Sequence, residues 1–141
     1  MMRERLADVV GAGKRPMDLA FAEAEAAELL GEVPIGAVVV SAAGEVLAKA
    51  GNRTLQLRDP TAHAELLAIR EACTRLVSER LIDCDLYVTL EPCAMCASAM
   101  VHARVQRLVF AATDPRAGAA SSVFNIVQHA ALNHRLECTA G

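Results

Sequence analysis

Two short stretches constrain this chain more than any others: "DPTAHAELLAIREAC" at 59–73 and "LEPCAMC" at 90–96. Each sets metal-ligating side chains behind a proline, at what reads as the start of a helix. Pro60 suits a first helical turn, where its missing N–H costs nothing, and Ala62, Leu66, Ile69, Cys73 and Leu76 then recur at the three-to-four spacing of a buried stripe. On such a helix, residues two apart point about 200° away from each other. His63 and Glu65 therefore share no flank and converge only off the helix's end. Cys93 and Cys96 lie three apart, on one side of the next helix, at an N-terminus whose dipole favours thiolates. A fold that uses both stretches has to bring two helix N-termini to one point.

The remaining elements are suited to that task. Met17, Phe21, Ala24, Ala27 and Leu30 predict an amphipathic helix ended by Gly31. "VPIGAVVVS" (33–41), the turn "AAG" (42–44) and "EVLAKAG" (45–51) read as a β-hairpin. "DLYVTL" (85–90) reads as a strand buried on both faces, Pro92 as the opening of a short helix, and "RLVFAA" (107–112) as a further strand. The loop "DPRAGAASS" (114–122), a short helix over 123–128 and a short strand over 135–138 follow. Alternating strands and helices predict a sheet with helices packed against it. With 141 residues, 54 % of them hydrophobic, the chain has the material for one domain with one core. The first ~15 residues read as disordered.

Other readings are excluded or weakened. The longest apolar runs fall far short of the ~20 residues of a membrane span. The N-terminal stretch has neither the apolar core of a signal peptide nor the acid-poor composition of a transit peptide, so the expected location is cytoplasmic. A net charge of −3 argues against a protein coated in basic surface. Between 102 and 116, though, Arg104, Arg107 and Arg116 outnumber Asp114 and leave room for a local patch. Five cysteines, Cys73, Cys84, Cys93, Cys96 and Cys138, form an odd set; in a cytosolic protein a Cys-x-x-Cys pair points to metal or redox chemistry rather than a structural disulfide.

His63, Cys93 and Cys96 are ligands of the kinds zinc prefers, and three protein ligands leave a fourth position for a water whose pKa falls to about 7. Glu65, close by and not needed as a ligand, is then the group that moves protons. Two other arrangements compete. A thioredoxin-like redox pair would follow the first strand of a βαβ unit and would leave His63 and Glu65 without a role. A structural Cys2His2 site would be completed by His129 and His134, but a whole strand intervenes where a zinc finger has about a dozen residues. A non-catalytic zinc module of that kind has four protein ligands and no open position.

His-x-Glu with Pro-Cys-x-x-Cys is the signature of zinc-dependent nucleobase deaminases. Beyond it, "EVPIGAVVV", "GNRTL", "DPTAHAE", "LYVTLEPCAMC" and "GAASSVFNIVQHAALNHR" resemble the bacterial tRNA-specific adenosine deaminases along most of residues 16–136. The resemblance implies a cytidine-deaminase-like three-layer α/β/α sandwich around a five-stranded mixed sheet, with one Zn2+ per subunit on His63, Cys93 and Cys96. It implies Glu65 as the catalytic proton shuttle, Asn52 against the flipped nucleoside, Asp114 near the target ribose, and Arg53 and Arg116 on backbone phosphates. The activity implied is conversion of the wobble adenosine of a tRNA anticodon to inosine, by a homodimer. Members of the family continue past the position of Thr139-Ala140-Gly141 into a C-terminal helix that helps hold the anticodon loop, and this sequence ends there. Guanine and deoxycytidylate deaminases resemble the same His-Ala-Glu and Pro-Cys-x-x-Cys pattern, so a small substrate with the same zinc chemistry is the alternative. The segment "GAASSVFNIVQHAALNHR" favours tRNA.

Overall fold

The computed structural model describes residues 14–140, and most of the stretch expected to be disordered lies outside them. Helix α1 spans Pro16–Leu29, strands β1 and β2 span Gly36–Val40 and Val46–Gly51, and a single turn of helix, α2, spans Thr54–Leu57. Helix α3 (Ala64–Leu76), β3 (Asp85–Leu90), α4 (Ala94–His102), β4 (Arg107–Ala112) and β5 (Glu137–Ala140) follow. Among the described residues the strands form one sheet in the order β2-β1-β3-β4-β5. β1 pairs antiparallel with β2 and β3, whereas β3–β4 and β4–β5 are parallel, so the sheet is mixed, as expected. The β1–β2 hairpin is the predicted one, with a register shift between Val39 and Val40.

The period-two alternation of strand side chains divides the core between two faces. Val38, Val40, Tyr87 and Val109 pack under Ala20 of α1. Ala37, Val39, Leu86, Val88, Leu108 and Phe110 pack with Ala64, Ala68 and Ala72 of α3 and with Cys96, Ala97 and Met100 of α4. This is the three-layer sandwich, and it sets α3 and α4 side by side on one face. On the α1 side, Arg107 is buried, not part of a basic surface patch: its guanidinium donates to Asp85 at 3.2 Å and to the Tyr87 hydroxyl at 2.6 Å.

Both predicted helical stripes hold in part, with Ala24 and Ala27 of α1 and Ile69 of α3 buried as expected, but each is rotated toward smaller residues. On α1 the buried residues are Pro16, Ala20, Ala24 and Ala27, while Phe21 and Leu30 are 45 % and 62 % exposed. The cause lies in the hairpin, where Gly36 and Gly51 face each other across the strands. A Cβ on Gly36 would fall on the Ala20 carbonyl and 2.7 Å from the Ala24 nitrogen, and one on Gly51 would lie 2.7 Å from the Glu23 carbonyl oxygen. A helix so close to a sheet can present only small side chains. On α3 the inward face is Ala64, Glu65, Ala68, Ile69 and Ala72; Leu66 and Cys73 are half-buried and Leu76 is exposed. That rotation turns Glu65 into the protein.

Three boundaries also differ from expectation. Pro60 belongs to a turn ahead of α3, whose N-cap is His63. Residues 123–128 form turns and irregular chain rather than a helix, because their amides serve distant carbonyls: Val123 and Phe124 donate to Gly118, and Ile126 to Ala119. β5 begins two residues later than predicted. No helix among the described residues is long and apolar enough to cross a membrane.

Gly36→Ala has no room to relax, since both obstacles are backbone atoms. It is expected to cost at least about 2 kcal/mol of unfolding free energy, measured by denaturant titration. Gly31→Ala, at φ +80° with nothing within 4 Å, should cost only the backbone strain of about 1 kcal/mol.

Candidate active site

Helix caps assemble the site. His63 is the N-cap of α3 with extended backbone (φ −73°, ψ 151°), and Cys93 is the N-cap of α4 (φ −74°, ψ 174°). Neither side chain is spent on capping its own helix, so both are free to point off the helix end. Cys96 lies one turn into α4, fully buried, and Glu65 lies in the first turn of α3 at 3 % exposure.

The His63 Nδ1 is 3.6 Å from the Cys93 sulfur and 3.5 Å from the Cys96 sulfur. Ligand atoms of all three residues lie within 4.8 Å of one another, and among the described residues they are the group suited to a metal. The fit to zinc can be checked from bond lengths: Zn–S and Zn–N near 2.3 and 2.0–2.1 Å at a tetrahedral angle put nitrogen and sulfur roughly 3.6 Å apart. The side chains already stand at that spacing. The rival Cys2His2 set is not formed, because His134 Nε2 pairs with the Val105 carbonyl at 2.7 Å and His129 Nδ1 accepts from the Ala131 amide at 3.1 Å. The cysteines are free thiols, as the weak case for disulfides anticipated.

Electrostatics sort these groups by role. A hydrogen bond from Cys96 pulls the Cys93 thiol down to about 5, while donating it pushes the Cys96 thiol up. One sulfur is thus a ready thiolate. Burial pushes the Glu65 carboxyl up to about 7, and its Oε1 has no hydrogen-bond partner in the protein. Carboxyls that are buried, poised near neutrality and aimed at a metal-ligand cluster are suited to proton transfer.

Asn52, 5 % exposed, stands at the same place: its Oδ1 accepts the Ala64 amide at 2.9 Å, the first N–H of α3. Asp114 is joined to the start of α4 through Glu91, which accepts its amide at 3.0 Å. The Asp114 Oδ1 accepts in turn from the amides of Arg116 and Ala117, closing a tight turn. Arg53 and Arg116 are exposed, and the Arg53 Nε donates to Gln56 at 3.0 Å.

Two carboxylates went unread in the sequence. Glu32, 4 % exposed, accepts the amides of Leu55 and Gln56 at 3.2 and 2.8 Å and the Thr54 hydroxyl at 3.4 Å, holding the turn that follows Asn52. Glu91, 2 % exposed, accepts from the amides of Asp114, Ala120, Ser121 and Ser122 and from the Ser122 hydroxyl. Burial pushes the Glu91 carboxyl up, but the hydrogen bonds from Ser122, Asp114 and Ser121 outweigh it and hold it at about 2. An acid next to Pro-Cys-x-x-Cys, at the end of an otherwise apolar strand, was the available signal for Glu91. Glu32 offered none.

A His-Cys-Cys group that could hold a metal, with a buried carboxyl beside it on a mixed sheet flanked by helices, is the constellation of a zinc-dependent nucleobase deaminase. The chain belongs to that family, the cytidine and deoxycytidylate deaminases, whose zinc-binding region matches residues 12–112, and within it to the tRNA-specific adenosine deaminases. It is 50 % identical over 121 residues to the tRNA-specific adenosine deaminase of Aquifex aeolicus, covering 86 % of this chain and 80 % of that one. A solved structure from studies of A-to-I editing by tRNA:A34 deaminases at the wobble position of transfer RNA is 48 % identical. It superposes with a TM-score of 0.86, covering 89 % of this chain and 96 % of that one. The guanine deaminase of Bacillus subtilis is more distant, 39 % identical with a TM-score of 0.67, over 70 % of this chain and 62 % of its own.

Replacing Cys93 by Ala removes one of the three candidate ligands, and purified Cys93→Ala protein is expected to lose most of its zinc. Elemental analysis checks this; a metal content equal to that of the parent protein would remove Cys93 from the site.

Proposed function

We propose that this protein is a single deaminase domain that converts the wobble adenosine of a tRNA anticodon to inosine by hydrolysis, with one zinc per subunit held by His63, Cys93 and Cys96. The observation that carries the reading is Glu65: a buried carboxyl, pushed up to about 7, whose Oε1 has no protein partner and stands two residues from a metal ligand. When bound, zinc supplies Lewis-acid activation of a water, lowering its pKa to about 7.

Glu65 does the proton work. As a carboxylate it takes a proton from the attacking water and gives it to N1 of adenine while the C6–O bond forms. It then carries the remaining hydroxyl proton to the exocyclic nitrogen, the C6–N bond breaks and ammonia leaves. Glu65 ends as it began, and adenosine plus water has become inosine plus ammonia. A carboxyl near 7 suits both halves of this cycle, since it neither holds nor sheds its proton too firmly.

The other side chains bind and orient. With its Oδ1 committed to the Ala64 amide, Asn52 has its Nδ2 left to donate to the base. Asp114 has one oxygen committed within its own turn and the other available to a ribose hydroxyl. Arg53 and Arg116, both exposed, are available to backbone phosphates. An anticodon loop is already single-stranded, so turning its base into the site costs little. A second copy of the chain and a cytoplasmic location complete the proposal; the names of the relatives support its tRNA partner.

The kinship with a guanine deaminase supplies the competing substrate for the test. Unmodified tRNA with adenosine at the wobble position, guanine and deoxycytidylate are incubated in parallel with the protein and with Glu65→Gln. Inosine in the tRNA is expected, with a loss of at least ~10²–10⁴ in the variant at undiminished zinc content. Ammonia from guanine or deoxycytidylate with no inosine in the tRNA would overturn the substrate assignment, and full turnover by Glu65→Gln would overturn the role of Glu65.

A further inference from the structure

Loop 114–122 has almost no secondary structure to keep it in shape, yet it carries two residues proposed to meet the RNA. What organises it is one side chain. The Glu91 Oε1 accepts the Asp114 amide at 3.0 Å together with the Ser122 hydroxyl, and its Oε2 accepts the amides of Ala120, Ser121 and Ser122 at 3.0, 2.9 and 2.9 Å. The first residue of the loop and its last three therefore converge on a single carboxylate. The backbone repeats the connection, since Glu91 donates to the Ala112 carbonyl at 2.8 Å and Ala119 donates to the Pro92 carbonyl at 2.8 Å. Gly118 rests so closely on the carboxylate that a Cβ there would overlap it. Two residues further along the chain is Cys93.

We infer that Glu91 is a positioning residue, which fixes the substrate-reading loop, and Asp114 above all, at a set distance from the metal ligands. The inference rests on the reading of Asp114 as a substrate contact. Glu91 itself touches neither substrate nor metal; it acts through the loop it holds. Its geometry makes it hard to replace. Five donors point at two oxygens, and Gln in either orientation turns an NH2 group toward at least two of them, at constant volume. The loop is then released on the substrate side while His63 and Cys93 keep their N-cap positions and Cys96 its place in the first turn of α4.

The test is a double-mutant cycle on wobble-adenosine tRNA. Glu91→Gln, Asp114→Ala and the double variant are compared with the parent for kcat, KM, zinc content and melting temperature. Misplacing a binding group by about an ångström costs on the order of 10–100-fold, so Glu91→Gln is expected to lose that much kcat/KM, mainly through KM, with zinc retained. In the Asp114→Ala background the same substitution is expected to cost less than about threefold, because coupled sites fail to add. Full additivity overturns the inference, because a merely structural residue would lower both backgrounds alike. So does loss of zinc in Glu91→Gln. An inactive parent, or an unaffected Asp114→Ala, would instead bring down the functional reading beneath it. Should Glu91→Gln fail to fold, Ser122→Ala takes its place in the cycle: non-additive loss with Asp114→Ala supports the inference, and additive or absent loss overturns it.

Discussion

The site depends on two helices beginning at the same point. An N-cap residue has extended backbone while its neighbours are already helical, so its side chain can leave along the helix axis. His63 and Cys93 both occupy that position, and α3 and α4 lie on the same face of the sheet. The strands fix the meeting: β3 delivers α4, and the adjacent β1–β2 hairpin supports α3 from below. Because the two helix dipoles converge, negative charge is favoured where they meet, which suits the Cys93 thiolate, whereas burial works against charge at Glu65 and pushes its carboxyl up to about 7.

Much of this was legible beforehand. His-x-Glu cannot act along a helix flank, and that argument alone placed His63 and Glu65 at the end of α3. The grouping of His63, Cys93 and Cys96 was readable because the spacing of Cys93 and Cys96 and the strand before them are local features. The packing faces of α1 and α3 were legible only in part. Ala24 and Ala27 were in the expected stripe, but apolar periodicity also ranks Phe21, Leu30 and Leu66 above alanine. The glycine pair Gly36 and Gly51 instead brings α1 so close to the sheet that Ala20 joins Ala24 and Ala27 there and Phe21 and Leu30 are left exposed. Only the paired register of two strands discloses that constraint. The same limit hid Glu32 and Glu91, whose partners are mainly backbone amides 23 to 31 residues away. An amide has no sequence signature.

These two carboxylates divide the support of the site between them. Glu32 holds the turn behind Asn52 on the α3 side, and Glu91 holds the loop behind Asp114 on the α4 side. Both are buried, and both are satisfied by N–H groups of the segment they hold rather than by a cation. Each carboxylate anchors an irregular segment from inside the protein by gathering its amides, and leaves the surface above it unencumbered.

The Glu91 cradle grips main chain almost exclusively, with the Ser122 hydroxyl the exception. Every residue but proline offers the same amide. Within loop 114–122 the fold therefore constrains Gly118 through its contact with the carboxylate, Ala119 and Ala120 through their burial in the core, and Asp114 and Ser122 through their side-chain hydrogen bonds. The remaining side chains are at liberty to drift. A scaffold of this kind separates variation in the exposed side chains of a loop from the buried residues beneath it, so that the surface can change while the cluster of His63, Cys93, Cys96 and Glu65 stays as it is.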